Sequence, residues 1–277
     1  MRKKINIERG KDLYDNLSIR DGHMHTPFCP HGTKDTLESY VEKAIKEGRR
    51  EITFTEHFPM PEGVTTETFR RECTLLEEEI PAYIEAIGRV KGNYKERIAI
   101  HLGFEVDYIE GYENKITDTL NHYATTIEDG VLSVHFVKFE NQYYAIDYLP
   151  DFETLLTKIQ SLEKIYDLYF ETVLKSIEAD LGEYKPKRIG HPTLVRIFNK
   201  KYPIAYENEC LFQAIVTALK EKKYEIDFNM AGLKKEFCKE TYPSGRLLEL
   251  IKKEHLPLIL GSDAHCADRV KIDLSSF

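Results

Sequence analysis

Seven of the ten histidines in this chain lie in short, separate clusters at the downstream ends of β-type runs. The clusters are DGHMH at residues 21–25 with His31 six residues later, TEH at 55–57, SVH at 133–135, GHP at 190–192 and GSDAH at 261–265. Glu105 follows a further run of this kind. Imidazoles and carboxylates gathered where many strands end are what a centre with several metal ions needs. The chain must therefore fold so that many strand ends meet.

Helical periodicity alternates with these runs along the whole chain. The sequence predicts helices over residues 35–48, 69–89 with Pro81 as a point of interruption, 112–122, 153–180, 209–222 and 244–254. We therefore expect each interval between clusters to hold one strand and one helix, which is the βαβ unit.

Continuous alternation of strands and helices, with the chemistry at strand C-termini, predicts an α/β fold built on a parallel barrel. About seven strands are expected, so the barrel is distorted or incomplete. No stretch rich in Gly, Ser or Pro separates two parts of the chain, and residues 1–277 are expected to form one domain.

Composition excludes several classes of protein. A formal net charge of -8 and a pI near 5.8 argue against a nucleic-acid partner. No apolar run approaches the roughly 20 residues that span a bilayer, and residues 1–8 precede no apolar signal segment. Five cysteines without paired spacing indicate reduced thiols. We expect a soluble, cytoplasmic protein without a membrane partner.

A single histidine on an apolar face is more often a hydrogen-bonded core residue than a metal ligand. His101, His122 and His255, which lie outside the clusters, are accordingly assigned to structure. The clustered histidines are different, because burying so many imidazoles beside carboxylates is costly unless each has a metal or hydrogen-bond partner. The candidate ligands are His23, His25, His31, His57, Glu105, His135, His191, Asp263 and His265.

Spacing adds detail to this candidate centre. His23 and His25 are two residues apart, which at a strand end aims both side chains at the same side. A carboxylate such as Glu105 can bridge two ions, as two-metal phosphoryl-transfer sites require. The chain contains no G-x-S-x-G elbow, Walker A or G-x-G-x-x-G motif. Cys29 and Cys266 adjoin candidate ligands, and each is left open as a thiolate ligand or a reactive nucleophile.

In the order in which they occur along the chain, these histidine and carboxylate motifs resemble those of the polymerase-and-histidinol-phosphatase (PHP) superfamily. The resemblance spans nearly the whole chain. The resemblance implies a distorted (β/α)7 TIM-like barrel with a metal site at the C-terminal ends of the strands. It implies three divalent or transition metal ions (Zn, Fe or Mn) per chain. The implied sets are His23, His25, Glu105 and Asp263; Glu105, His135 and His191; and His31, His57 and His265.

Within the superfamily, the segments PFCPHG at 27–32, SVHF at 133–136, GHPTLVR at 190–196 and NMAGLK at 229–234 resemble the monofunctional histidinol-phosphate phosphatases. The resemblance implies L-histidinol phosphate as the small-molecule substrate, with Asp263, Glu105 and His135 as catalytic residues. The sequence departs from the branch at Asp227, where glutamate is expected. Two alternatives stay open: a PHP phosphoesterase for a nucleotide, phosphosugar or phosphotyrosine, and a metal-binding module without turnover.

Two further residues are predicted to bind substrate. Arg196 lies just past a predicted strand end, and its guanidinium can hold a phosphate through two parallel hydrogen bonds. Asn229 is the second. Asp21 and Asp107 are expected to orient ligands without binding metal themselves.

Overall fold

The computed structural model describes residue 17 and residues 19–272, in which strands and helices alternate. The strands are β1 Arg20–Met24, β2 Glu51–His57, β3 Ala99–Asp107, β4 Asp129–Ser133, β5 Phe136–Phe139, β6 Gln142–Ala145, β7 Arg188–Ile189, β8 Glu225–Asn229 and β9 Leu258–Gly261. The helices are α1 Leu37–Lys46, α2 Glu67–Cys73, α3 Ile80–Tyr94, α4 Glu113–Tyr123, α5 Leu149–Ile159, α6 Leu162–Glu178, α7 Glu209–Glu221 and α8 Gly245–Lys253. Residues 1–8, used in the signal-peptide prediction, lie outside the described residues.

Seven parallel strands form one sheet in the order β1-β2-β3-β4-β7-β8-β9. A single parallel bridge between Met24 and Ala264 joins the first strand to the segment after the last, so the sheet is nearly closed. The predicted distorted (β/α)7 barrel is thereby confirmed. Among the described strands, β5 and β6 pair only with each other, as an antiparallel hairpin inserted after β4.

Amphipathic helices cover the outside of the barrel. In α1, for example, the buried side chains are Leu37, Tyr40, Val41 and Ala44, at the helical spacing seen in the sequence. The Thr36 side chain caps this helix by accepting a hydrogen bond from the Ser39 amide. Along residues 17 and 19–272, the structure has no helix whose length and apolar character would let it cross a membrane.

Two of the predicted helices were wrong in extent. The segment 69–89 contains the end of α2, a 3₁₀ turn at Glu77–Glu79 and most of α3. Pro81 lies in the first turn of α3, where its missing N–H costs no hydrogen bond, so it helps to start a helix. The segment 153–180 is divided because Gln160 adopts a left-handed φ of 55° and Ser161 caps α6.

Charged side chains close the N-terminal end of the barrel. Arg188 is 1% exposed, and its Nη2 lies 2.6 Å from Asp129 Oδ1 while its Nε lies 3.3 Å from Glu225 Oε2. Arg20 Nη2 is 2.7 Å from the other Asp129 oxygen. Burial alone would raise the pKa of Asp129, but Arg188, Thr53 and Arg20 outweigh it and lower that pKa to about 2. Each charge here faces an opposite charge.

Candidate metal centre

All nine predicted ligand residues converge at the C-terminal end of the barrel. A cavity of about 210 Å³ opens there, and His31, His57, Glu105, His135, His191, Asp263 and His265 line it. His23 and His25 are fully buried beneath it, beside Glu105. The residues come from β1, β2 and β3 and from the segments that follow β1, β4, β7 and β9. Parallel strands therefore bring residues distant in sequence to one place.

Glu105 lies at the middle of this cluster. Its Oε2 is 3.4 Å from the Nε2 atoms of both His23 and His25 and 3.2 Å from His57 Nδ1. Its Oε1 is 2.8 Å from His191 Nε2 and accepts a hydrogen bond of 2.6 Å from the Ser133 hydroxyl. One carboxylate thus presents its two oxygens to two groups of imidazoles, which is the arrangement of a bridging ligand.

Three groups of side chains have ligand atoms close enough together to share an ion. They are His23, His25 and Asp263; Glu105, His135 and His191; and His25, Cys29, His57 and His265. The second is a set that the family resemblance implied, and the first is another of those sets without Glu105. The third contains His25 and Cys29, where the resemblance implied His31, although His31 Nε2 lies 3.1 Å from His265 Nε2. Burial raises the pKa of the Cys29 thiol to about 12, which favours its neutral form.

A second layer of acceptors orients the imidazoles. Besides His57, whose Nδ1 faces Glu105, five histidines place Nδ1 against an oxygen: His23 on Asp227 Oδ2 at 2.8 Å, His25 on Glu56 Oε1 at 3.2 Å, His31 on Glu72 O at 3.0 Å, His135 on Asp107 Oδ1 at 2.7 Å and His265 on Asp263 O at 3.1 Å. An oxygen at Nδ1 fixes the tautomer and leaves Nε2 with a lone pair for a metal.

Several buried imidazole nitrogens have no hydrogen-bond partner among the described residues. Their positions show whether the site suits bound cations. The Nε2 atoms of His23, His25 and His57 are buried and have no hydrogen-bond partner among residues 17 and 19–272, which is costly for a polar atom. Ligands that sit about 2.0–2.2 Å from a tetrahedral zinc ion stand about 3.4 Å from one another. The distances from His25 Nε2 to Asp263 Oδ1 and Glu105 Oε2 are 3.2 Å and 3.4 Å. The residues therefore fit bound metal.

The pKa shifts of the histidines also favour bound cations. Burial opposes the charged form of His23, but Asp227, Glu105 and Asp263 outweigh it and raise its pKa well above the usual range. Burial and the neighbouring His25 instead lower the pKa of His57. Carboxylates thus attract positive charge to one part of the cluster, while neutral imidazoles stand ready as ligands in another.

The backbone is adapted to this crowding. A Cβ at Gly261 would lie 2.0 Å from Asp227 Oδ1 and 2.9 Å from His23 Cβ, so only glycine lets that carboxylate reach that imidazole. His191 and Asp263 adopt positive φ values of 26° and 50°. Such backbone conformations cost about 1–3 kcal/mol each in non-glycine residues. The fold therefore holds two candidate ligands in strained positions.

The structure does not bring the two predicted substrate-binding residues to the cavity surface. Arg196 donates to Glu240 through Nε at 2.6 Å and Nη2 at 2.9 Å, and it lines a different cavity. A guanidinium already paired with a carboxylate in this way is not free to grip a phosphate. Asn229 is fully buried, and its Nδ2 lies 3.0 Å from Asp227 Oδ2 and 3.2 Å from Asp263 Oδ2.

The predicted orienting residues do contact ligands. Asp107 bonds His135, and Asp21 Oδ1 accepts from the amides of His23 and Ser262 at 3.3 Å and 3.0 Å. Sequence reasoning missed Glu56, although it stands directly before His57 at a strand end. It also did not assign Asp227 to His23.

Comparison with known proteins gives one family match and three similar proteins. The PHP domain family matches residues 21–231. The histidinol-phosphatase of Bacillus subtilis is 40% identical over 264 residues, which cover 94% of this chain and 98% of that protein. A candidate histidinol phosphatase from Listeria monocytogenes has a similar structure, with a TM-score of 0.86, 34% identity and coverage of 93% of this chain and 99% of that one.

A more distant solved structure shares the fold. It is the histidinol phosphate phosphatase of Lactococcus lactis, solved in complex with zinc, L-histidinol and phosphate. The TM-score is 0.63 at 20% identity, with coverage of 93% of this chain and 89% of that one.

Proposed function

This chain belongs to the PHP domain family, and on that premise we propose that it is a metal-dependent histidinol-phosphatase. It hydrolyses L-histidinol phosphate to L-histidinol and phosphate, a step of histidine biosynthesis. The observation that carries this proposal is the position of Glu105, whose two oxygens face separate groups of imidazoles. A site of this kind suits phosphoryl transfer, because a bridged pair of ions can stabilise both the attacking and the leaving oxygen.

We propose that three ions bind per chain, as Zn, Fe or Mn. The proposed ligands are His23, His25, His31, His57, Glu105, His135, His191, Asp263 and His265. Bound cations lower the pKa of water and offset the charge of a phosphoryl group. The protein's own part is to hold each imidazole in one tautomer and to keep the three proposed catalytic residues, Glu105, His135 and Asp263, at the cavity wall.

We propose Lys235 and Arg269 as the cations that bind the substrate phosphate. Both line the cavity beside the histidines, both are exposed, and neither forms an ion pair within residues 17 and 19–272. They replace Arg196 in this role, since Arg196 is bonded to Glu240. Positive side chains beside the metal positions balance charge on the equatorial oxygens of the phosphoryl group.

The proposal is tested by a phosphate-release panel combined with elemental analysis of the purified protein. We expect close to three transition-metal ions per chain, and turnover of L-histidinol phosphate at least about 10²-fold above that of a nucleotide, a phosphosugar and phosphotyrosine. Preferred turnover of another ester would make the chain a different PHP phosphoesterase. Full metal content without turnover of any ester would make it a binding module.

Two further proposals concern the whole chain. We propose that residues 1–277 form one catalytic domain, since the sheet, the helices and the cluster share one core. We also propose that it acts in the cytoplasm, without nucleic-acid or membrane partners. All five cysteines are free thiols, in keeping with a reducing compartment.

A further inference from the structure

A separate cavity of about 200 Å³ lies where helices α6, α7 and α8 meet the loop after β7, and we call it the interhelical cavity. It shares no lining residue with the cavity of about 210 Å³ at the histidine cluster, which is the metal cavity. Its volume is below the roughly 300 Å³ at which ordinary ligand pockets begin, so it suits a small molecule.

The first turn of α8 supplies hydrogen-bond donors to the interhelical cavity. Ser244 and Gly245, at the start of this nine-residue helix, both line the cavity. The Ser244 hydroxyl bonds Glu240 Oε2 at 2.9 Å and does not cap the helix. Among the described residues, no acceptor bonds the amides of Gly245 and Arg246. A Cβ at Gly245 would meet no atom within 4 Å, so there is open space beside the helix start. Unbonded amides at a helix N-terminus favour an anion.

A buried hydroxyl without a partner belongs to the same cavity. Thr193 is 1% exposed and lines the interhelical cavity. Its Oγ1 is buried and has no hydrogen-bond partner among residues 17 and 19–272. A buried hydroxyl of this kind costs free energy unless a group in the cavity bonds it. Independently of α8, Thr193 therefore points to a ligand whose head group forms hydrogen bonds.

Charge around the interhelical cavity is matched except at one carboxylate. Arg196 is already bonded to Glu240. Arg246 donates to Glu209 through Nε at 2.8 Å and through Nη2 at 2.9 Å. Glu207 lines the cavity and is exposed, and its carboxylate forms no hydrogen bond or ion pair within the described part of the chain. The helix start that favours an anion thus stands with a carboxylate that favours a cation, which suits a zwitterion.

The remaining wall of the interhelical cavity is aromatic. Phe170 and Tyr206 are stacked, with ring centroids 5.5 Å apart and an interplanar angle of 11°. Phe212 packs edge-on against Phe170 at 4.9 Å, and the Tyr166 ring lies 5.1 Å from that of Tyr206. All four side chains line the cavity and belong to the hydrophobic core. The wall is therefore preformed, and the ring of a ligand can pack against it.

We propose that the interhelical cavity binds a free α-amino acid with an aromatic side chain. The carboxylate accepts hydrogen bonds from the first amides of α8 and from the Thr193 hydroxyl. The ammonium donates a hydrogen bond to Glu207, and the side-chain ring packs on the aromatic wall. This site goes beyond the proposed function, since none of its residues is a proposed metal ligand or phosphate-binding cation.

The first experiment titrates L-phenylalanine into the metal-loaded protein by calorimetry. A ligand with about twelve non-hydrogen atoms in a preformed site should bind with a Kd of about 1 mM or tighter. Glycine, which lacks the ring, and phenethylamine, which lacks the carboxylate, should bind at least about tenfold more weakly. No binding of L-phenylalanine at about 10 mM would overturn the proposal, and so would equal affinity for any two of the three compounds.

The second experiment uses Thr193→Val, which keeps the shape of the side chain and removes its hydroxyl. Affinity for L-phenylalanine should fall about three- to tenfold, the scale of one hydrogen bond. Without ligand, the variant should be at least as stable to denaturant as the unmodified protein, because an unpartnered buried hydroxyl has been removed. Unchanged affinity would remove Thr193 from the site. A loss of stability without ligand would show that the hydroxyl is already bonded, which would also contradict the proposal.

The third experiment tests the ammonium with Glu207→Gln and with 3-phenylpropionate, an analogue that lacks the ammonium. The variant should bind L-phenylalanine about threefold more weakly and 3-phenylpropionate as well as the unmodified protein does. The matched control is Glu221→Gln, an exposed carboxylate that lines neither the interhelical nor the metal cavity. It should leave both affinities unchanged. Equal losses for the two ligands in Glu207→Gln, or no loss for either, would overturn the ammonium assignment.

Steady-state kinetics show which cavity the amino acid occupies. The interhelical and metal cavities share no lining residue, so saturating L-phenylalanine should leave the KM for L-histidinol phosphate unchanged. Competitive inhibition would place the amino acid in the metal cavity and would overturn the interhelical site. Absence of turnover without L-phenylalanine would instead count against the proposed function alone, so the two failures are distinguishable.

Discussion

Both ends of the barrel bring ionisable side chains into contact, but the C-terminal end leaves some of its buried imidazole nitrogens without a hydrogen-bond partner among the described residues. At the N-terminal ends of the strands, Arg188 lies between Asp129 and Glu225, so positive and negative charge are matched inside the protein. At the C-terminal ends, Glu105 faces imidazoles, and the buried Nε2 atoms of His23 and His25 have no hydrogen-bond partner. A matched cluster stabilises the fold, whereas an unmatched one is completed by a ligand.

The largest effect is expected from Glu105→Gln, which leaves the size of the side chain and removes its charge. Two groups of ligands lose a shared carboxylate, so kcat/KM should fall by at least about 10³-fold and the metal content should drop by two ions. Elemental analysis and phosphate release measure this. Near-normal metal content and rate would show that Glu105 does not bridge.

Arg188→Met tests the paired end of the barrel. Removal of one partner leaves the partly buried Asp129 without its main cation, so the free energy of unfolding should fall by about 3–5 kcal/mol. Denaturant titration of the metal-loaded protein measures this, and kcat/KM of the folded fraction should change little. The double variant Arg188→Met, Asp129→Leu is the control and should recover part of the stability. A loss of activity larger than the loss of stability would contradict a purely structural role for this end.

The substitution Asp227→Asn tests the C-terminal end of the barrel. Asp227 contacts a proposed ligand but is not itself a proposed ligand. Asp227 Oδ2 is 2.8 Å from His23 Nδ1, and the amide cannot fix the imidazole as strongly as the carboxylate does. We expect metal affinity or kcat/KM to decrease about 10- to 100-fold with the fold intact. Competition with a chelator gives the affinity. Affinity equal to that of the unmodified protein would show that orientation of His23 contributes nothing.

The smallest effect on activity is expected from Arg196→Ala. Its guanidinium is paired with Glu240 away from the metal cavity, so kcat/KM should stay within about threefold of the unmodified enzyme. The free energy of unfolding should fall by about 1 kcal/mol, because a partly buried ion pair is lost. A loss of about 10²-fold in kcat/KM, with stability unchanged, would restore Arg196 as the phosphate-binding residue.

The sequence predicted the seven-stranded barrel and the convergence of the nine ligand residues. Both follow from local information, since each ligand such as His57 or Glu105 stands at the end of its own β-type run. Because the strands are parallel, their C-terminal ends meet on one side of the barrel and bring these residues together. The predicted break at Pro81 was misplaced, because proline is as compatible with the first turn of a helix as with its end.

Pairing between distant side chains could not be predicted in this way. Nothing near Arg196 in the sequence shows that it bonds Glu240, and nothing near His23 shows that Asp227 orients it. Asp147, which lines the metal cavity, has no motif around it and follows a short hairpin that periodicity did not reveal. Its position beside the cavity comes from how the hairpin folds back, which is a property of the whole barrel.

The contact between β1 and the segment after β9, which nearly closes the barrel, has a consequence for the order of folding. Strand β1 joins the segment after β9 through the Met24–Ala264 bridge, with the His25 amide donating to Ala264 O at 3.2 Å and the Asp263 amide donating to His23 O at 2.8 Å. These segments come from opposite ends of the chain, so their closure carries a large loop entropy. Ions bound jointly by His23, His25 and Asp263 would hold β1 and the segment after β9 together. We expect the metal-free chain to close this ring last and to open it first.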